Sequence, residues 1–168
     1  YICKDKYLMD KFTSYSKKQL TANASILAEL QKKLAAEGIS MDTILVPVAA
    51  QVLTDKLPAY APTVDYAAIL QVLTDAGVDT VDVFSALSAH SGENIYYRTD
   101  HHWTSLGAYY AYCAWRGIAP NADEWTQEIL CDNFRGTTWN KIPLPTIPAE
   151  EITAWYKHKN RSVSYNSG

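Results

Sequence analysis

The sequence predicts an α/β fold with a parallel sheet, followed by an irregular, β-rich extension at its carboxyl end. Three observations carry this. An amphipathic helical stretch runs directly into a short strand-like run of branched residues, and the same order then repeats. A third strand-like run, Ile95-Tyr96-Tyr97-Arg98, leads into a further helix. After residue 118 the character changes, with Pro120, Pro143, Pro145 and Pro148 set among Trp125, Trp139, Trp155 and short β-like segments.

Residues 16–37 form the strongest helix signal, because Leu20, Ala24, Leu27, Leu30 and Leu34 recur at spacings of three and four. Gly38 supplies the left-handed stop, and Thr43-Ile44-Leu45-Val46-Pro47 reads as a buried strand. Pro58 and Pro62 punctuate a loop, and residues 64–76 return to helical spacing through Tyr66, Ile69, Leu70 and Leu73. Gly77 ends that helix, and residues 78–84 alternate as a second strand. Strand, helix, strand in this order implies parallel pairing with a right-handed crossover, and ligands of such sheets gather beyond the carboxyl ends of the strands. The third strand runs into Thr99-Asp100-His101-His102-Trp103, after which Thr104 caps a helix carrying Leu106, Tyr110, Cys113 and Ala114 on one face and ending at Gly117. The free N–H groups of that turn could favour an anion. Residues 1–118 are therefore expected to form the α/β core, and residues 119–168 a flap or β-rich extension of the same domain. Gln51-Val52-Leu53-Thr54-Asp55 recurs at residues 71–75, but its surroundings do not repeat, so no solenoid follows.

The chain has 168 residues, 48% hydrophobic and 20% charged, which suits one globular domain rather than a disordered segment. Fifteen Lys and Arg against eighteen Asp and Glu leave a net charge of -3, so there is no overall positive field to collect nucleic acid. No apolar run reaches membrane-helix length, and membrane association is expected only through segments absent from this chain. The start at Tyr1 and the stop after a polar, basic stretch give the expectation of a piece of a longer protein. Cys3, Cys113 and Cys131 show no metal spacing and are expected to be small buried hydrophobes.

The chemistry concentrates at residues 99–103. In an extended segment residues i and i+2 share a side, so Asp100 and His102 would face one site while His101 turns away. A carboxylate on one ring nitrogen fixes the imidazole tautomer and stabilises the imidazolium formed when the other nitrogen takes a proton, which makes such a pair a general base. The same residues also fit a plain structural role, with Asp100 bonded to turn amides and both histidines packed on Trp103. A metal is a further alternative for Asp100, His101 and His102, weakened by the divergence of adjacent side chains; His90 and His158 stand alone. Ser85, Ser105 and Ser164 are available hydroxyls, read respectively as helix cap, helix first turn and exposed strand residue. Trp125, Trp139 and Trp155 either pack the core or stack on sugar rings. Lys157, His158, Lys159 and Arg161 form a basic run that is either a solvated tail or a contact to an acidic polysaccharide.

The block Tyr97-Arg98-Thr99-Asp100-His101-His102-Trp103-Thr104-Ser105-Leu106-Gly107-Ala108 resembles the signature of the bacterial DHHW proteins and is similar to the Asp-x-His-Trp-Thr segment of the alginate O-acetyltransferases. Weaker likeness extends from residues 1–9 through Ile44-Leu45-Val46-Pro47 and Lys56-Leu57-Pro58 to Phe134-Arg135-Gly136-Thr137 and Glu151-Ile152. The resemblance implies an SGNH-like three-layer α/β fold, incomplete in this chain. It implies that Asp100 orients His102, that His102 activates a serine, and that Trp103 and Gly107 shape the turn, with Tyr97, Arg98 and His101 alongside them. In the acetyltransferases the serine follows in an Asp-Ser segment after a further strand, and neither residues 119–168 nor any Gly-Asp-Ser block near the amino end supplies one. The resemblance thus implies an acyl-ester hydrolase or O-acetyltransferase, extracytoplasmic or at the cell surface, acting on a polysaccharide with an acyl donor and without a cofactor. Its rivals are a non-catalytic glycan-binding surface module and a metal-dependent hydrolase. A sheet edge left uncovered by a missing strand is expected to draw two chains into a dimer.

Overall fold

The computed structural model describes residues 1–157. Its elements are α1 (Lys17–Ala36), α2 (Ala49–Val52), α3 (Tyr66–Asp75), α4 (Val83–Ala89), α5 (Ser105–Arg116), β1 (Thr126–Phe134), α6 (Thr137–Lys141) and β2 (Glu150–Tyr156), with short 3₁₀ turns between some of them. The expected helix starts and stops hold. The Ser16 hydroxyl caps α1, Asp65 caps α3 and Thr104 caps α5, and Gly38, Gly77 and Gly117 all take positive φ. Helix α1 turns Leu20, Ala24, Leu27 and Ala28 inward toward α3, while Leu30 points out to solvent. The repeated pentapeptide has no structural meaning, because one copy ends α2 and enters a 3₁₀ turn while the other lies within α3.

The parallel sheet is not formed among the described residues; the sheet there is the antiparallel pair β1 and β2. The two segments expected to pair in parallel do meet, but only at the bridge Thr43–Thr80, where the Val81 N–H donates to the Thr43 carbonyl at 2.9 Å. Side chains take the places a ladder would use. The Leu45 carbonyl accepts the Tyr66 hydroxyl at 2.8 Å, the Pro47 carbonyl accepts the Tyr96 hydroxyl at 2.6 Å, and Pro47 has no N–H to give. The second segment is also cut short, since the Asp82 carboxylate accepts the Ser85 N–H and α4 starts at Val83. Asp82, not Ser85, is therefore the cap of this helix.

Residues 95–98 form no strand either. Tyr96 bridges antiparallel to Trp103, with the Tyr97 N–H on the His102 carbonyl at 3.2 Å and the Thr104 N–H on the Ile95 carbonyl at 2.9 Å. The chain thus doubles back on itself and presents residues 98–102 as the tip of a loop.

Two apolar clusters hold the fold. One gathers Leu53, Leu87, Ile95, Tyr96 and Cys113, and the other joins α1 to α3 through Ala24, Ile69, Val72 and Leu73. Complete burial of a Leu such as Leu53 or Leu87 contributes roughly 1.5–3 kcal/mol. Only Cys113 is the buried hydrophobe expected of the cysteines; Cys3 and Cys131 are half-buried. The aromatic residues of the extension pack inward: Trp125 and Trp155 each lie 5.4 Å from the Tyr109 ring of α5, and the Trp139 indole N–H donates to the Leu144 carbonyl. At the far end of the ladder Phe134 pairs with Glu150, which sets residues 134–137 and Glu150 against the loop tip.

Candidate active site

Asp100 and His102 are brought together, though not by strand alternation. The Asp100 Oδ1 accepts the backbone N–H of His102 at 2.9 Å, the local turn that an Asp makes two residues ahead, and this swings the His102 ring onto the same oxygen. The His102 Nδ1 lies 2.6 Å from Oδ1. An ionised carboxylate only accepts, so Nδ1 carries the proton and Nε2 is left with its lone pair. The Asp100 side chain is 5% exposed and that of His102 is 67% exposed, so the carboxylate is shielded while the imidazole is open to solvent.

The other oxygen is fixed from a distant part of the chain. Oδ2 accepts the Thr137 N–H at 2.7 Å and the Thr137 hydroxyl at 2.9 Å. Burial pushes the Asp100 carboxyl up, but the N–H groups of Thr137 and His102, then the His102 ring and the Thr137 hydroxyl, outweigh it and hold the group well below the usual carboxylate range. Gly136 permits this approach. A Cβ there would lie 2.3 Å from the Asp100 Cβ and 2.4 Å from Oδ2, so only glycine lets the backbone come so close.

His101 does not turn away. The segment is a bend, so its ring lies 3.9 Å from the His102 ring, and its Nδ1 is 2.8 Å from the Thr137 Oγ1. The Thr137 hydroxyl spends its proton on Asp100 and accepts one from His101, so both imidazoles are tied to one carboxylate, His102 directly and His101 through Thr137. Donor atoms of Asp100, His101 and His102 lie within 4.8 Å of one another, which removes the divergence argument against a metal.

The remaining predicted residues surround the loop. Gly107 lets α5 pack on the loop, since a Cβ there would sit 2.3 Å from the Ile95 carbonyl oxygen. Trp103 makes the bridge that closes the loop, and the Tyr97 ring meets Phe134 edge-on at 5.2 Å. The Arg98 guanidinium points to the amino-terminal segment, with Nε 3.2 Å from the Asp5 carbonyl oxygen and the group 5.1 Å over the Tyr7 ring. Ser85 is engaged in α4, and the Ser105 hydroxyl donates to the Thr153 carbonyl. Ser164, His158, Lys159 and Arg161 lie outside the described residues, while Lys157 pairs with Glu124 at 2.5 Å. Sequence reasoning gave no role to Thr137 or Glu150. Gly136 and Thr137 carried only a weak likeness, and an isolated Thr or Glu has no spacing signal.

Residues 6–137 match the model of the SGNH hydrolase-like domain of the acetyltransferase AlgX, a match that ends on the residue fastening Asp100. A DHHW family protein from Eubacterium siraeum superposes with a TM-score of 0.71 at 25% identity, over 86% of this chain and 49% of that one. The O-acetyltransferase domain of Pseudomonas putida AlgJ gives 0.73 at 21% identity, over 93% of this chain and 64% of that domain. Bacillus cereus PatB1 gives 0.67 at 18% identity, over 90% and 56%. The chain spans less than two thirds of the length of each. No curated protein sequence matches it.

Proposed function

The chain belongs to the SGNH hydrolase-like domain family of the acetyltransferase AlgX, and from that premise we propose that it carries the acid–base half of a serine acyltransfer site acting on a cell-surface or exported polysaccharide. The observation that supports this most directly is the shielded Asp100 holding the proton on Nδ1 of an exposed His102. In the proposed reaction Nε2 of His102 takes the serine hydroxyl proton as the serine oxygen bonds to the acyl carbonyl carbon. Backbone amides hold the resulting oxyanion, the bond to the donor's leaving oxygen breaks, and Nε2 returns the proton to that oxygen. Nε2 then deprotonates a sugar hydroxyl or water as that oxygen bonds to the acyl carbon, the bond to the serine oxygen breaks, and Nε2 returns the proton to the serine. Asp100 stays ionised throughout.

The serine is proposed to lie in a segment downstream of this chain. The Ser105 hydroxyl is held on the Thr153 carbonyl, Ser85 lies in the first turn of α4, and the chain covers only part of its structural relatives. An extracytoplasmic or cell-surface location is part of the proposal, drawn from the family. Among the described residues no helix is long and apolar enough to cross a membrane.

Hydrolysis of an activated aryl acetate by the full gene product is expected, falling by roughly 10²- to 10⁴-fold in His102→Ala. Wild-type activity in that variant would refute the proposal. The 168-residue chain alone is expected to be inactive. Turnover by it that Ser85→Ala, Ser105→Ala or Ser164→Ala abolishes would relocate the nucleophile to this chain. The convergence of Asp100, His101 and His102 favours a second reading, a metal-dependent hydrolase, for which activity would vanish with a chelator and return with added divalent metal.

A further inference from the structure

Glu150 is a carboxylate whose burial needs an explanation. It opens β2, its side chain is 6% exposed, and its nearest cation, the Arg98 guanidinium, is 3.8 Å from Oε1. Its close partners are donors of the loop that carries the acid–base pair. Oε1 accepts the Arg98 N–H at 2.7 Å, and Oε2 accepts the Thr99 N–H at 2.8 Å and the Thr99 hydroxyl at 2.6 Å. A carboxylate removed from water destabilises a fold unless its lone pairs are filled, and here consecutive N–H groups immediately before Asp100 fill them.

The arrangement requires a group that only accepts. A glutamine of the same shape offers one oxygen and one NH₂, and the NH₂ would face an N–H on one side or the other. The Thr99 hydroxyl, having donated to Glu150, accepts the Gly136 N–H at 3.2 Å, and the Thr99 carbonyl accepts the Trp139 N–H at 2.9 Å. Thr99, the residue before Asp100, is thus gripped at its N–H and at its carbonyl, and the grip extends to Gly136, the neighbour of the Thr137 that bonds Oδ2.

We infer that Glu150 is a positioning residue for the Asp100–His102 pair: it fixes the backbone of residues 98–99 so that the Asp100 carboxylate points at the His102 ring. The inference rests on the acid–base role assigned to that pair. Glu150 acts through the backbone and touches neither imidazole.

The test uses the ¹⁵N-labelled 168-residue chain and reads the imidazole tautomers directly. Wild-type His102 is expected as the Nδ1–H form when neutral. In Glu150→Gln that preference is expected to fall at least severalfold toward Nε2–H, while His90, held on Glu93 elsewhere, keeps its spectrum. A folded Glu150→Gln chain with His102 unchanged overturns the inference and leaves the pair intact. Asp100→Asn with His102 unchanged overturns the pair itself. Should Glu150→Gln not fold, wild-type amide exchange decides. The Arg98 and Thr99 amides should exchange at least roughly tenfold more slowly than unstructured amides, and exchange at the unstructured rate refutes the grip.

Discussion

Replacing Asp100 by Asn preserves size and removes the negative charge together with the second accepting oxygen. In the wild type the carboxylate takes four donors: His102 N–H and Nδ1–H on Oδ1, and Thr137 N–H and hydroxyl on Oδ2. An amide must point its NH₂ at one of these pairs. Facing Thr137, it would strand an N–H deep beside Gly136; facing His102, it meets an N–H nearer to water, and the ring can adapt by accepting at Nδ1. The second orientation is therefore expected, and it forces His102 into the Nε2–H tautomer, which cannot accept the proton of the proposed serine. Activity of the full gene product should drop by roughly 10²- to 10⁴-fold, and the fold should lose about 1.5–3 kcal/mol, the range for hydrogen bonds to a charged group. The pH dependence has a definite sign. A carboxyl held low in the folded state stabilises it fully above the unfolded value of about 3.9, and that contribution is lost as pH falls toward the folded value. The gap between wild type and variant should thus be flat from about pH 5 upward and about 1 kcal/mol smaller at pH 3. Urea unfolding followed by tryptophan fluorescence reads both. A gap below about 0.5 kcal/mol at pH 7, or one unchanged at pH 3, would refute the reasoning.

Gly136→Ala places a methyl against the Asp100 carboxylate and should cost about 1–3 kcal/mol of overpacking while displacing Oδ2 from Thr137, seen as a lowered melting temperature and a lost His102 Nδ1–H signal. Thr137→Val removes the hydroxyl but keeps the backbone donor, so it should cost about 1 kcal/mol, leave the His102 tautomer in place and free His101, as imidazole ¹⁵N spectra would show. Gly107→Ala lies in a helix, where Ala normally stabilises by about 1 kcal/mol. The approach to the Ile95 carbonyl should reverse that sign, and a stability gain on thermal melting would contradict the close packing.

The sequence made α1, α3 and α5 legible because their evidence is local. Ser16, Asp65 and Thr104 bond amides two or three residues ahead, and glycines at 38, 77 and 117 end the helices with positive φ. The strands failed for the opposite reason. Whether Leu45 and Pro47 enter a ladder depends on which groups reach their carbonyls, and the tyrosines that do so lie at 66 and 96. Asp100 and His102 were found from spacing, yet the pair forms through a bend, so the same extended-chain argument misplaced His101. Thr137 and Glu150 were invisible as parts of the site because their partners are 37 and 51 or 52 residues away.

The carboxyl-terminal extension thereby changes in meaning. A flap would cover a site that already exists, whereas here β1 and β2 end where the loop needs donors and acceptors. The loop tip has few backbone partners of its own: its amides at 98 and 99 go to Glu150, and its carboxylate takes the amide of Thr137. A loop this short cannot satisfy a buried Asp and two consecutive N–H groups from within. Phe134 opposite Glu150 in the ladder fixes both braces relative to each other, so the ladder's register, bulges included, sets the distance between the two grips on the peptide around Asp100. The aromatic packing of Trp125 and Trp155 on Tyr109 then holds that ladder to α5, the helix that begins just after His102. The placement of an exposed imidazole is in this way passed from the core through the strands to the carboxylate that orients it.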